Sequence, residues 1–268
     1  MSEFALFYDT ALQSPTPYHA RGSYFAKALD RMDRTFEVIR PLVAGKTIID
    51  VGASPFYLLY RCKAAGAARV HGVFFANDDH PLKESAEIYS DAGPIELSHA
   101  NMEADGFPFA DDSVDIVTAC EILEHFDHFP VSFAREVRRV LKSDGYLCIT
   151  VPNVSAIGNI IKLIFQRNIY YRYRADHTGR HKHEYTMAQL KAFIAYLGMD
   201  VVRAGYMPSP TSDKFMFRPL YRALARIPLL RSYSPVLYIL ARQRTVKSTS
   251  DLSVLPPALF DDALSIEA

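Results

Sequence analysis

The run TIIDVGASPF, residues 47–56, decides the fold. Thr47, Ile48, Ile49 and Val51 are β-branched and suit a strand buried on both faces. The run carries an acid, Asp50, near its end and then turns at Gly52 through small residues. A parallel strand that stops this way leaves backbone N–H groups and a carboxylate at the carboxyl edge of a sheet, where α/β folds bind nucleotide-like ligands. A ligand that approaches the backbone closely needs a residue without Cβ, hence Gly52. One that carries an ammonium or ribose hydroxyls needs an acceptor such as Asp50. By itself such a turn is more often that of an ordinary βα connection.

On either side the chain alternates. Strand-like runs follow at 69–74, 95–99, 114–119, 146–151, 200–206 and 236–242, and helical patterns fall at 58–65, 82–90, 131–141 and 187–197. Alternation of this kind predicts right-handed βαβ units and a parallel sheet with helices on both faces. Ahead of the run, Phe25, Leu29, Met32, Phe36, Ile39 and Leu42 recur at three and four residues. That period predicts an amphipathic helix over 18–43, ended by Ala44-Gly45-Lys46. Two segments break the alternation, 153–185 and 209–234, and inserts of this length usually form lids or binding elements. The expected organisation is one domain over 1–244 with these two inserts, followed by a flexible tail over 245–268.

Composition narrows the classes. The formal net charge is zero, so no global basic field points to nucleic acid. Cys62, Cys120 and Cys148 lie far apart in apolar contexts without metal or redox spacing, and they read as buried, reduced thiols. The first residues, MSEFALFYDT, have neither a basic n-region nor an apolar h-region, and no apolar run approaches the roughly 20 residues of a spanning helix. A soluble, cytoplasmic protein is expected, with any membrane contact peripheral and on the inner face.

Downstream, several ordered motifs share one register. Asn101-Met102-Glu103 leads into Gly106-Phe107-Pro108-Phe109-Ala110-Asp111-Asp112-Ser113-Val114-Asp115. Then come Glu121-Ile122-Leu123-Glu124-His125, Arg135-Glu136-Val137-Arg138-Arg139-Val140-Leu141-Lys142 and Val151-Pro152-Asn153. In this order the residues resemble class I S-adenosylmethionine-dependent methyltransferases, over roughly residues 47–242. Asn168-Ile169-Tyr170-Tyr171 and Gly179-Arg180-His181-Lys182-His183-Glu184-Tyr185-Thr186 resemble a bacterial subgroup associated with surface polysaccharide and other glycan biosynthesis.

The resemblance implies a seven-stranded, mostly parallel Rossmann-like sheet with the last strand antiparallel, and S-adenosylmethionine as donor, leaving S-adenosylhomocysteine as product. It implies that Asp50, Gly52, Ala53 and Ser54 line the methionine half of the donor. Phe74 and Asn77 would flank the ribose, Asn101, Met102 and Glu103 would sit by the adenine, and Cys120 and Glu121 would lie beneath the sulfonium. The chain departs from the pattern where Pro55 and Phe56 replace a third glycine, and where Phe74 replaces the usual ribose-binding acid.

Methyl transfer to oxygen requires removal of a proton from a poor hydroxyl nucleophile, a task suited to an imidazole with a pKa near 6.5. His183, His181 and His125 are the candidate bases. The spacing of His181 and His183 suits a metal, but no third ligand follows from spacing, and no metal is expected. Tyr170, Tyr171, Arg174, Arg180 and Tyr185 interleave aromatic faces with cationic forks. They suit a sugar ring that bears phosphate or carboxylate. The acceptor expected is a hydroxyl of a saccharide, nucleotide-sugar or glycan-linked molecule; a quinone or other secondary metabolite, or a non-catalytic interaction module, fits the donor motifs as well. Over 214–231, Arg218, Arg222 and Arg226 recur every four residues opposite an apolar side. Such a helix suits an anionic membrane surface, its own domain or a second copy of the chain.

Overall fold

The computed structural model describes residues 18–53, 56–74, 86–90, 92–170, 181–209, 218–248, 251–256 and 259. Helix α1 spans Tyr18–Val43, as its period predicts, and ends at Gly45, whose φ of 72° a side chain would oppose. Strand β1 (Thr47–Val51), helix α2 (Tyr57–Ala64) and strand β2 (Arg69–Phe74) follow as one βαβ unit. Then come β3 (Ala86–Ser90), β4 (Gly93–His99), β5 (Val114–Cys120), α3 (Val131–Val140) and β6 (Leu141–Pro152). Helices α4 (Ile157–Ile164) and α5 (Met187–Tyr196), strand β7 (Asp200–Met207), α6 (Arg218–Leu224) and β8 (Val236–Arg242) complete the order.

The sheet runs β3-β4-β2-β1-β5-β6-β8-β7. Strands β4, β2, β1, β5 and β6 are parallel, whereas β8 runs antiparallel to both β6 and β7. The seven expected strands are present, and the last is antiparallel. An eighth, β3, occupies part of the stretch read as a helix over 82–90. It pairs antiparallel with β4 from Ala86 opposite Leu97 to Ser90 opposite Gly93. Gly93 takes a φ of 116°, and Ser90 Oγ donates to its carbonyl oxygen (2.8 Å), so a tight hairpin captures the segment before a helix can propagate.

Strand periodicity sorts the core into two layers. Ile49, Val51, Val117, Ala119, Ile149 and Val151 face a layer closed by Phe133, Val137, Leu190 and Phe193. Ile48, Val70, Ile116 and Cys148 face the other, closed by Phe36, Ile39, Phe56, Tyr57 and Leu59 of α1, α2 and the turn between β1 and α2. With side chains alternating along a strand, Asp50 points into the second layer, beneath α1. The order of strands reverses beside β1, whose neighbours are β2 and β5, and this places a crevice at its carboxyl end.

The inserts and tail are tied to this frame. Thr186 caps α5 reciprocally with Gln189, as its position before the helix predicts. In the second insert, α6 buries Tyr221 and pairs Arg222 with Asp30 of α1 (3.0 Å), which is packing on its own domain; Leu229, just beyond, is exposed. No helix among the described residues is long and apolar enough to cross a membrane. The tail over 245–268 reads as flexible from its composition, but its first part is anchored. Lys247 pairs with Asp112 (2.5 Å), Arg138 donates to the Ser248 carbonyl, the Tyr196 hydroxyl donates to the Leu252 carbonyl, and Leu252 is buried.

Candidate functional site

Two backbone kinks at the carboxyl edge of the sheet build the site. Gly52 leaves β1 with a φ of 76°, and both its N–H and that of Ala53 donate to the Val73 carbonyl at the end of β2 (2.8 and 3.2 Å). Glu121 leaves β5 with a φ of 56° while its N–H donates to the Thr150 carbonyl (2.8 Å). A left-handed backbone at a non-glycine residue costs on the order of 1–3 kcal/mol, and such strain concentrates at binding sites. A Cβ on Gly52 would stand 2.9 Å from Ile122 Cδ1, in a conformation side chains rarely adopt. Gly52→Ala is therefore expected to lower stability by about 1–3 kcal/mol in urea denaturation and to weaken ligand binding at this edge. A variant as stable as the parent would mean that the turn relaxes freely.

Between the kinks lies a cavity of about 70 Å³, lined by Arg31, Thr35, Asp50, Gly52, Cys120 and Glu121 among others. Asp50 is buried, and Thr118 Oγ1 on the adjacent strand donates to its Oδ1 (2.6 Å). Burial pushes the Asp50 carboxyl up to about 7, against the opposing pull of the Thr118 hydrogen bond and the Arg31 charge. Glu121 Oε1 is buried and has no hydrogen-bond partner among the described residues. The cavity thus presents two carboxyl groups beside a backbone stripped of its Cβ, a lining that fits a compact cation such as an α-ammonium. Cys120 faces it as well. Burial, and then the Asp50 charge, holds that thiol well above its ordinary range, which makes it a neutral wall rather than a nucleophile.

A second cluster lies one short turn further along, where Leu123–His125 form a 3₁₀ turn after β5. Glu124 is fully buried, and neither carboxylate oxygen has a hydrogen-bond partner among the described residues. Burial, and secondarily the Glu121 and Glu184 carboxylates, raise its pKa well above the usual range. Its Oε1 lies 3.8 Å from His125 Nε2, and the His125 ring meets His181 edge-on at 5.0 Å. His181 Nδ1 is 3.2 Å from Glu184 Oε1, while Glu184 Oε2 accepts from Asn159 Nδ2 (3.1 Å). The segment carrying His181 is fastened to the turn by the Lys182 N–H, which donates to the Glu124 carbonyl (2.6 Å), and by the ion pair of Lys182 with Asp127.

The structure thus brings together Asp50, Gly52, Ala53, Cys120 and Glu121 at one edge, and His125 and His181 beside it. His183 does not join them: its side chain is exposed and packs edge-on against Tyr185 at 4.7 Å. Phe74, expected at a ribose, is buried between the rings of Phe56 and His99, 5.9 Å from each. The Phe56 ring enters the core because its backbone turns left-handed, with a φ of 69°. Met102 is core, whereas Asn101 and Glu103 brace loops. Asn101 Oδ1 accepts from the Glu103 N–H (3.0 Å), and Glu103 Oε1 accepts from the N–H groups of Asp127 and His128 (2.8 and 3.1 Å). Of the residues expected to meet an acceptor, Tyr170 is exposed and Tyr185 is buried. Burial, followed by the Glu124 charge, drives the Tyr185 hydroxyl far above its ordinary pKa. Ser54, Asn77, Tyr171, Arg174 and Arg180 lie outside the described residues.

Arg31, Thr118 and Asn159 lie outside the motifs, and Glu124 and Glu184 lie inside them without a role of their own. Arg31 is one cation in a helix read only for its apolar side. Spacing also does not reveal the ligand set that the structure assembles, in which Glu124 and His125, and not His183, join His181: one ligand atom from each lies within 4.8 Å of the others.

Residues 49–149 match a family model described as a methyltransferase domain. A curated methyltransferase from Mycobacterium marinum, itself uncharacterized, is 34% identical over 103 residues, a match that spans 38% of this chain and 38% of that protein. Among solved structures, an S-adenosylmethionine-dependent methyltransferase from Mesorhizobium loti aligns over 78% of this chain and 96% of its own at 17% identity and a TM-score of 0.54. One from Archaeoglobus fulgidus aligns over 82% and 99% at 18% identity and a TM-score of 0.53. These two likenesses establish the fold.

Proposed function

We propose that the protein is an active class I S-adenosylmethionine-dependent methyltransferase that O-methylates a saccharide, nucleotide-sugar or glycan-linked acceptor, a reading supported by the match of residues 49–149 to a methyltransferase domain. S-adenosylmethionine is the cofactor of this family, and it supplies a methyl group already activated on a sulfonium. The observation that carries the reading is the adjacency of two clusters at one sheet edge: the Asp50–Glu121 cavity and the His125–His181–Glu124 group.

Asp50, Gly52, Ala53 and Glu121 would hold the methionine end of the donor. A bound ammonium favours ionised Asp50, so donor affinity is expected to rise as pH passes through about 7. The sign for folding is opposite. The folded-state pKa lies above the unfolded 3.8, so the protonated carboxyl stabilises fully below pH 4, and that contribution is lost as pH climbs to about 7. At an order of 1.4 kcal/mol per pKa unit, Asp50→Asn is expected to gain up to about 4 kcal/mol over the parent between these limits. Parallel stability curves for the two proteins would show that Asp50 is already ionised and solvated.

On the acceptor side, the buried carboxylates around His125 and His181 would orient and charge-balance imidazoles able to accept a hydroxyl proton. By residue type, Tyr170, Tyr171, Arg174 and Arg180 suit a ring that bears an anionic group, whereas Tyr185 is core. The test is transfer of a labelled methyl group to a panel of nucleotide sugars and glycans, with quinones as the comparison. Labelling confined to quinones would overturn the saccharide assignment and leave the donor site standing.

A further inference from the structure

We propose that Glu124, His125 and His181 form a binding site for one divalent transition-metal cation, open on the acceptor side. Two imidazoles and one carboxylate have ligand atoms within 4.8 Å of one another, so a small rotation of the side chains brings all three within the roughly 4.4 Å that separates ligands across an ion at bond lengths of about 2.2 Å. A cluster of this sort acquires meaning from its partnering. Both oxygens of Glu124 are fully buried without a hydrogen-bond donor among the described residues, and Oε1 is directed at His125 Nε2. A buried carboxylate without a partner costs several kcal/mol, a cost that a cation bound between Glu124 and the two imidazoles would offset.

The surroundings are those of a ligand site. Glu184 holds His181 by Nδ1 and is itself held by Asn159. A carboxylate that accepts a ring N–H fixes the tautomer, places the lone pair on Nε2 and strengthens that nitrogen as a ligand. The two strands of chain that contribute ligands are joined by the bond from the Lys182 N–H to the Glu124 carbonyl and by the Lys182–Asp127 pair. The site is therefore assembled by folding rather than by the ion. Three protein ligands leave positions for oxygens from outside, and two imidazoles with one carboxylate suit Zn²⁺, Mn²⁺, Fe²⁺ or Co²⁺. The site rests on the methyltransferase reading for its purpose and deepens it: vicinal hydroxyls or an anionic group of the acceptor would complete the coordination sphere, and a coordinated hydroxyl ionises more readily.

Co²⁺ is the probe. The full-length chain, stripped with a chelator, is titrated with Co²⁺ and followed by visible absorbance and calorimetry, with S-adenosylhomocysteine binding measured in parallel. One ion per chain is expected, with a spectrum of mixed nitrogen and oxygen ligation. Glu124→Gln and His125→Asn should each weaken binding at least tenfold while S-adenosylhomocysteine affinity is unchanged. The exposed His128→Ala should leave Co²⁺ binding as it was. Absence of saturable binding, or equal binding by the parent and both ligand variants, would overturn the site. Retained binding of S-adenosylhomocysteine in that case would separate the loss of this inference from failure of the methyltransferase reading.

Discussion

Asp50→Ala is expected to weaken S-adenosylhomocysteine binding about a hundredfold, equivalent to about 3 kcal/mol. The side chain lies under α1 at the end of β1, oriented by Thr118 and attracted by the Arg31 charge. Its truncation removes a carboxylate from a cavity of about 70 Å³, and Glu121 remains as the other anionic group there. Stability should not fall in parallel, because the lost group is a buried acid whose ionisation burial already disfavours. The discriminating measurement is calorimetric titration alongside thermal unfolding. Affinity lost together with the fold would mean that Asp50 is structural, and unchanged affinity would move the donor site elsewhere.

His181→Ala is expected to reduce methyl transfer by about a hundredfold or more, the range for loss of the group that takes the acceptor's proton or holds the cation that eases its loss, while donor affinity persists. His181 meets His125 in the partly buried cluster, whereas His183 packs outside it on Tyr185. His183→Ala should therefore cost much less, although the two histidines are nearly indistinguishable in the segment Gly179-Arg180-His181-Lys182-His183. Comparison of kcat for the two variants settles the order, and a larger loss in His183→Ala would reverse it.

That pair shows where the sequence is legible and where it is not. Strand β1, its acid and its glycine can be read directly, because β-branched burial, an acceptor and a missing Cβ each have a local cause. Helix α1 and the cap at Thr186 are local in the same sense. Alternate residues in a loop carry no such signal. Whether His181 or His183 turns inward is decided by hydrogen bonds from Lys182 to Glu124, 58 residues earlier in the chain, which no period encodes. Glu124 hides for the same reason: in the sequence it is one acid of a turn, and only tertiary burial strips its oxygens of donors. Phe74 is the converse case. Its position after β2 suggests a ligand contact, but the left-handed turn at Phe56 brings a second ring against it and draws both into the core. Strand β3 eludes a helical reading because a hairpin at Gly93 outweighs local preference in a short segment.

The central claim is that the carboxyl edge of β1 and β5 binds an S-adenosylmethionine-type donor, and direct titration of the purified parent chain with S-adenosylhomocysteine tests it. Saturable binding of one molecule per chain, stronger at pH 8 than at pH 6, is predicted. A folded protein that gives no heat of binding and no thermal stabilisation at either pH would contradict it.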